Sequence, residues 1–549
     1  FQNIGVGYAS LATNSTGDKN TAVGVYALRY ATTADNNTAF GWSASAANTT
    51  GYNNVAVGLN AATTNTTGTN NTAVGVQALN SNTTASDNTA VGKNSLYGNT
   101  TGASNVAVGL DSLKANTTGH SNVAVGANSL DANTTGIQNS ALGHHALGAN
   151  TTGHYNTAVG RSALQENTTG DYNVALGYKT LEASVGADTN TAVGYFSLNA
   201  NTTGSRNSAL GKGTLANNTT GSNNVAVGRD AMEVNTTGND NVAVGYIALD
   251  ANTTASNNTA VGNYSLGANT TGADNVAVGA YALDANTTAA NGTAVGRNAL
   301  SANTTGASNT GLGSHALVGN TTGANNTATG VNALSANTTG GSNVAMGNNS
   351  LSLNTTGGNN TGVGFYALKV NTTGAKNTGF GRNALTANTT ASNNTAVGDL
   401  AMNVNTTGDS NTAVGTNALL AATTADENTA MGYLAGGGCT TGNENTFLGA
   451  YSGNYTYPTT TGIHNVMVGA LAHAHNAAGR NQIVIGRYCR GIGDYHIVMG
   501  TDGGADRIYN NYTSNATWTR SSDERIKKDI TTNTDCGLGF INDLRTVTY

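Results

Sequence analysis

The chain has 549 residues, including 74 glycines and a single proline, and its formal net charge is −6. A charge this small gives no electrostatic argument for binding nucleic acid or an anionic membrane, and the sequence has no run of about 18 apolar residues that could span a bilayer. The three cysteines, Cys439, Cys489 and Cys536, are too few and too scattered for a disulfide framework or a cysteine-rich metal site.

A glycine recurs every 17 residues from Gly7 to Gly449, which defines 27 repeats without a slip. Their consensus is N-[TV]-A-V-G-x-x-[AS]-L-x-x-N-T-T-G-x-x, as in the repeat that spans residues 71–87. Length alone would suggest three or four domains, but a fixed period of this size is typical of a solenoid in which each repeat forms one coil. We therefore predict an all-β fold for residues 1–449, a parallel β-roll or β-solenoid shaft of 17-residue coils.

The N-T-A-V-G segment alternates with a period of two, which predicts a β-strand in every repeat. The residue before the glycine, such as Val74, is apolar in every repeat except at Thr329, and we expect it to fill the coil together with the Thr or Val two residues earlier. The opposite face carries the glycine and a second small residue, which only Phe447 replaces. A face that stays small in 26 of 27 repeats suggests that another copy of the chain packs against it. This predicts an intertwined or side-by-side homotrimeric fibre.

Leucine four residues after the glycine, such as Leu79, supplies most of the remaining apolar bulk. N-T-T-G is expected to turn the chain, because asparagine and glycine tolerate left-handed backbone angles and Asn and Thr side chains bond to local backbone groups. The opening asparagine occurs in 26 of 27 repeats, with Gly292 as the exception, which predicts a ladder of stacked asparagines. The N-T-T triplets also match the acceptor pattern for N-glycosylation, although turn geometry alone explains them.

The N-[TV]-A-[VIL]-G-x-x-[AS] strand resembles the head repeat of YadA-like trimeric adhesins over about 450 residues. That resemblance implies left-handed parallel β-rolls packed as trimers. The coil here is about three residues longer than the usual coil of that family, and the excess falls in the N-T-T-G turn. We therefore expect the strand of each coil to follow the structure of that family, whereas the conformation of the turn cannot be carried over from it.

After Gly449 the rhythm changes, and residues 450–520 are predicted to form a tip or transition region of degenerate repeats with bulkier Met and Ile. In this region His473 and His475 are expected to share one strand face. On a threefold axis three chains would supply six imidazole nitrogens, enough for an octahedral transition-metal site. Solvated or pocket-lining histidines are the alternative interpretation.

Residues 521–549 resemble the beginning of the endosialidase-type intramolecular chaperone that follows phage tail fibres and tailspikes. The positions that match its S-D-x-R-x-K-x-x-I and L-R-x-V-x-Y elements are Ser522, Asp523, Arg525, Lys527, Ile530, Leu544, Arg545, Val547 and Tyr549. The resemblance implies that this segment trimerises the fibre and is released by single-turnover self-cleavage, with Ser522 as nucleophile and Lys527 as its base. The alternative is that Ser522 caps a helix start whose charges form surface pairs.

Together these features predict a structural protein rather than an enzyme, most simply a phage tail fibre that attaches a virion to its host. The expected partners are two further copies of the chain and a cell-surface receptor, a glycan or an outer-membrane component, with no cofactor, nucleic acid or inserted membrane. A bacterial trimeric adhesin or secreted extracellular filament is the first alternative. An ice-binding solenoid is the second, although such proteins need a flat T-x-T face, whereas the paired threonines here are consecutive.

Overall fold

A computed structural model describes residues 2–501, 506–514 and 519–520. The chain divides into two compact units, residues 1–348 and 349–549, and each is a solenoid in its own right. No helix occurs in the described ranges, and accordingly they contain no helix long and apolar enough to cross a membrane. The predicted all-β parallel solenoid with a 17-residue repeat is therefore confirmed.

The first unit contains 21 strands of three residues each. They are β1 Ile4–Val6, β2 Thr21–Val23, β3 Thr38–Phe40, β4 Val55–Val57, β5 Thr72–Val74, β6 Thr89–Val91, β7 Val106–Val108, β8 Val123–Val125, β9 Ser140–Leu142, β10 Thr157–Val159, β11 Val174–Leu176, β12 Thr191–Val193, β13 Ser208–Leu210, β14 Val225–Val227, β15 Val242–Val244, β16 Thr259–Val261, β17 Val276–Val278, β18 Thr293–Val295, β19 Thr310–Leu312, β20 Thr327–Thr329 and β21 Val344–Met346.

The second unit continues the pattern and then changes it. Its strands are β22 Thr361–Val363, β23 Thr378–Phe380, β24 Thr395–Val397, β25 Thr412–Val414, β26 Thr429–Met431, β27 Thr446–Leu448, β28 Val466–Val468, β29 Ile483–Ile485, β30 His496–Thr501, β31 Asp506–Asn511 and β32 Thr519–Arg520. β28, β29 and β30 still pair in parallel, whereas β31 and β32 add in antiparallel fashion and end the solenoid pattern.

Within each unit every shaft strand pairs in parallel with the strand one repeat later, and identical positions stand opposite each other. Ala73 of β5, for example, pairs with Ala90 of β6. The rest of the coil has no regular strand, yet its backbone still bonds between coils, as in the N–H of Leu79 donating to the carbonyl of Ser95 at 2.9 Å. Each coil therefore satisfies its backbone groups mainly through its two neighbours.

The interior of the coil is lined by the small strand residue, which reverses the sequence prediction. The middle residue of β5, Ala73, is fully buried, whereas Thr72 and Val74 on either side of it are only half-buried. The reason is the leucine of the facing wall: at Gly379, in the same column as Ala73, a β-carbon would lie 3.3 Å from Cγ of Leu368. A coil of 17 residues has room for that leucine and one methyl group, so the larger residues point outward.

Around Phe447 the same interior is packed with the large residue in the strand and the small residues on the facing wall. It is the one large residue in the alanine column of the 27 repeats, and it is fully buried in β27. The leucine position is glycine on both sides of it, at Gly436 and Gly453, and a β-carbon at either would collide with the phenyl ring. The aromatic ring thus occupies the volume that two leucine side chains fill elsewhere.

The glycine that ends each strand is required by the stacking of coils. Gly75 has a φ of +139°, and a β-carbon on it would overlap the backbone carbonyl of Gly92 in the next coil. From the sequence, the small residues of this face suggest a second copy of the chain, but the close neighbour of the glycine column is the next coil of the same chain. It carries no information about a second copy.

The left-handed turns do not lie at N-T-T-G, where the sequence predicted them. In the repeat of β5 the positive φ angles of non-glycine residues belong to Gln77 (57°), Leu79 (53°) and Asp87 (62°). The amide of Gln77 donates to the carbonyl of Leu59 in the preceding coil at 2.8 Å, while that of Leu79 donates to the following coil. We attribute the unusual angles to this alternation, because inter-coil hydrogen bonds in both directions offset the steric cost of a left-handed leucine.

Two buried asparagine ladders complete the interior, and the one predicted from the opening asparagine is confirmed. Oδ1 of Asn54 accepts the backbone N–H of Asn71 at 2.9 Å, and Asn71 Nδ2 donates to the carbonyl of Ala85. The N-T-T asparagine forms the second ladder, in which Asn82 Nδ2 donates to Asn65 Oδ1 at 2.8 Å. Because Asn82 is fully buried, its side-chain nitrogen is not accessible to a glycosylation enzyme in the folded coil.

Candidate functional surfaces and sites

The outward side of the strands forms the most extensive surface feature of the chain. We call it the strand face and define it as the first and third residues of β1–β29. All 58 of these positions are at least partly exposed, and none is charged. The first position is Thr, Val, Ser or Ile, and the third is apolar in every strand except β20, which ends at Thr329.

The strand face is continuous within each unit because successive strands pair in register, as β5 does with β6. Its third-position column includes strongly exposed large side chains, among them Phe40 (56%), Leu210 (51%) and Phe380 (55%). In the first unit, 21 strands at the usual spacing make the column roughly 100 Å long. Contiguous apolar surface on this scale exceeds what soluble monomers usually expose and is typical of an interaction surface.

Sequence reasoning missed the strand face because it assigned these residues to the interior. The signal was present in Phe447, whose two flanking glycines at leucine positions indicate that the alanine column and the leucine column share one space. A residue that packed against a second chain would need no compensation within its own coil. The period-two pattern distinguishes the two faces of a strand but does not tell which face is inside.

The two histidines of the H-A-H segment lie in different local environments. His473 is 5% exposed, and its Nδ1 donates to the carbonyl of Leu471 at 3.0 Å, which leaves Nε2 as the nitrogen with a free lone pair. Its ring contacts Tyr455 and Tyr457. Burial, together with the nearby charge of Arg490, lowers the pKa of His473, so the ring is neutral at physiological pH.

His475 is less buried and faces polar groups. Its Nε2 lies 2.6 Å from Nδ2 of Asn476, and its Nδ1 lies 3.9 Å from Oδ1 of Asp494. No group of three or more His, Cys, Asp or Glu side chains that could hold a metal ion occurs in the part of the chain that the structure describes. The six-nitrogen site needs three chains, so the predicted metal at His473 and His475 stays a prediction.

The predicted self-cleavage residues, Ser522 and Lys527, lie outside the described residues. The same holds for the whole segment 521–549, so the chaperone assignment and its dyad remain predictions. Both cysteines in the described ranges, Cys439 and Cys489, are buried free thiols. Burial raises the pKa of Cys439 to about 11, which makes it an unreactive core thiol.

Aromatic and charged side chains are concentrated in the columns that follow the glycine. Successive coils stack their tyrosines there, as in Tyr178 on Tyr195 and Tyr264 on Tyr281, with ring centroids 5.5 Å apart in both pairs. These columns vary from coil to coil, in contrast to the monotonous strand face and interior. Variation on a constant scaffold is the expected property of a surface that recognises other molecules.

No protein-family model matches this chain, and a search of the curated proteins also finds no match.

Proposed function

We propose that the chain is the subunit of a homotrimeric structural fibre whose copies bury the strand face against one another. The uncharged, apolar and exposed strand face carries this proposal, because burying it removes a long hydrophobic surface from water. A face only two residues wide suits a threefold arrangement, in which each copy contacts two others near a common axis. The resemblance of the repeats to the heads of trimeric adhesins supports the same number of chains.

A phage tail fibre, located outside the cell on the virion, is the function that we propose for this assembly. The resemblance of residues 521–549 to the intramolecular chaperone of tail fibres supports it. A chaperone at that position also answers a physical problem, since near-identical coils can pair out of register when three chains assemble. Host attachment then follows from the fibre's form: three copies present the same surface side by side, so weak receptor contacts gain avidity.

A bacterial trimeric adhesin or secreted extracellular filament is the alternative use of the same rod. Ice binding is less favoured, because the strand face brings two outward threonines together in T-x-T spacing only in β20, at Thr327 and Thr329. In all other strands of β1–β29 the third position is apolar.

Sedimentation equilibrium of the full chain tests the assembly. We expect three times the 54.8 kDa chain mass, and we expect Val74→Asp combined with Val91→Asp to shift the mass toward the monomer. The reason is that carboxylates in a buried apolar interface lose their hydration. Val76→Asp is the matched control, because Val76 is 40% exposed but lies beyond the glycine, outside the strand face. A monomeric wild-type chain would overturn the proposal.

Antibody labelling of particles in the electron microscope tests the location. Gold at the tail of a phage particle supports the tail fibre, whereas gold on bacterial cells in the absence of phage supports the adhesin.

A further inference from the structure

One position on the variable side of the first unit differs from its equivalents in all other repeats. The residue two after the strand-end glycine carries a side chain in 26 of 27 repeats, and it is glycine only at Gly213. Gly213 keeps the left-handed backbone of this column, with a φ of +68°. The column therefore has a gap of one side chain, and Ala216 widens the gap on the same surface.

The gap opens a cavity of about 520 Å³, within the size range of small-molecule sites. One wall is aromatic: Tyr195 and Phe196 of the preceding coil line it, with ring centroids 4.5 Å apart, and Tyr195 stacks on Tyr178 at 5.5 Å. Tyr195 is 51% exposed, so much of its ring surface is open to solvent. We call this cavity the Gly213 notch.

The opposite wall is polar and partly fixed in place. Asp230 and Glu233 of the following coil line it. Nε of Arg229 holds Oδ2 of Asp230 at 2.8 Å, while Oδ1 of the same carboxylate points toward the space above Gly213, 2.5 Å from where a β-carbon of Gly213 would lie. This acceptor is oriented before any ligand arrives, which lowers the entropic cost of binding.

Amide and ammonium groups provide further hydrogen-bonding capacity in the notch. Asn199 and Asn217 line it together with Lys212. Asn199 is held by its own contacts, since its Nδ2 donates to the carbonyl of Lys179 at 2.9 Å and to Glu182 at 3.0 Å. Lys212 and Arg229 balance the charges of Asp230 and Glu233, so the notch has no net charge that would select a strongly anionic or cationic ligand.

We propose that the Gly213 notch binds a neutral sugar unit of a cell-surface polysaccharide. A pyranose ring has an apolar face of C–H groups, which packs on the electron-rich face of an aromatic ring, and an edge of hydroxyls, which bonds to carboxylates and amides. The notch presents these two chemistries on facing walls. This inference rests on the proposed attachment function, for which it specifies the class of receptor and a site outside the strand face.

Titration of the full chain with neutral hexasaccharides, namely cellohexaose, maltohexaose and mannohexaose, followed by saturation-transfer NMR, tests the proposal. We expect at least one to bind and both Tyr195→Ala and Gly213→Asn to weaken that binding tenfold or more. Gly213→Asn places a side chain in the notch and displaces the Asp230 carboxylate, whose Oδ1 lies 2.5 Å from the new β-carbon. The backbone tolerates the change, because Asn60, Asn94 and Asn128 occupy the same column with similar φ angles.

Tyr281→Ala is the matched control, since Tyr281 belongs to a stacked tyrosine pair without a notch, and it should leave binding unchanged. Far-ultraviolet circular dichroism of each variant confirms that the coil is intact. The proposal is overturned if none of the three sugars binds, if binding survives both notch variants, or if hexagalacturonate binds in their place. A monomeric chain that still binds a neutral sugar through the notch would overturn the fibre alone.

Discussion

The regular shaft repeats and the repeat that contains Phe447 fill the same interior, but the large and the small residue exchange positions between the strand and the facing wall. A regular coil combines an alanine in the strand with a leucine on the facing wall, whereas β27 combines a phenylalanine in the strand with glycines at Gly436 and Gly453. In both arrangements the interior side chains are fully buried. The comparison teaches that total side-chain volume, and not the identity of either column, is what the coil conserves.

Removing the large partner should break this balance most severely. Phe447→Ala leaves an empty space between two glycines, which the backbone cannot collapse to fill, and we expect the free energy of unfolding to fall by about 3–5 kcal/mol. Denaturant unfolding followed by circular dichroism measures the loss. The triple variant Phe447→Ala, Gly436→Leu, Gly453→Leu rebuilds a regular repeat and should recover most of it. A triple variant as unstable as the single one would refute conservation of volume.

Adding a large partner to a regular coil is the converse experiment. Ala158→Phe in β10 overfills the interior, because Leu147 and Leu164 retain their full volume. We expect a loss of about 1–3 kcal/mol by the same measurement. Replacing both leucines with glycine in the same chain reproduces the arrangement around Phe447 and should restore stability. If the phenylalanine alone were tolerated, the interior would have spare room.

Charge is not balanced around Asp250 in the way that side-chain volume is balanced inside the coil, because the charged groups that act on it are two carboxylates. Asp250 is half-buried near Asp230 and Glu233, and its Oδ1 has no hydrogen-bond partner among the described residues. Burial, followed by the two neighbouring carboxylates, raises the pKa of Asp250 from 3.8 to about 6. The folded state therefore favours the protonated acid, and stability falls as the pH rises from about 4 to 6.

Asp250→Asn should remove this penalty. After allowance for solvent screening at a half-exposed site, we expect a gain of about 1 kcal/mol at pH 7.5 and almost none at pH 3.5. Thermal unfolding at the two pH values measures the difference. Asp284→Asn is the matched control. Burial is the only cause that raises the pKa of Asp284, whereas neighbouring carboxylates add to the effect of burial at Asp250. An equal gain at both pH values for Asp250→Asn would show that the effect is not electrostatic.

The sequence was sufficient to predict the period, the parallel pairing and the asparagine ladder, because each follows from one repeated pattern. It did not reveal that Ala73 lies inside and Val74 outside, since alternation alone treats both faces alike. It also could not place a left-handed angle at Leu79, because local preference disfavours that conformation, whereas the folded chain stabilises it by a hydrogen bond from the Leu79 amide to Ser95 of the next coil.

The candidate surfaces were less accessible to prediction than the fold. The strand face required the inside of the coil to be known, and the gap at Gly213 has meaning only once its column is known to carry outward side chains. The histidines of the H-A-H segment were identified from spacing, but spacing does not show that His473 is buried beside tyrosines while His475 meets Asp494.

The close stacking of strand-end glycines has a consequence for how the length of the shaft can change. Because Gly75 touches Gly92 through backbone atoms alone, the joint between those coils depends little on which side chains surround it. Excising one whole 17-residue unit would bring the same two surfaces together. The 20-residue coil between Asn445 and Asn465 keeps the asparagine ladder as well, so coil length can change where the added residues leave the ladder and the strand in register. The number of 17-residue repeats, and with it the length of the shaft, can therefore change by recombination between near-identical repeats without new side-chain contacts at the joint.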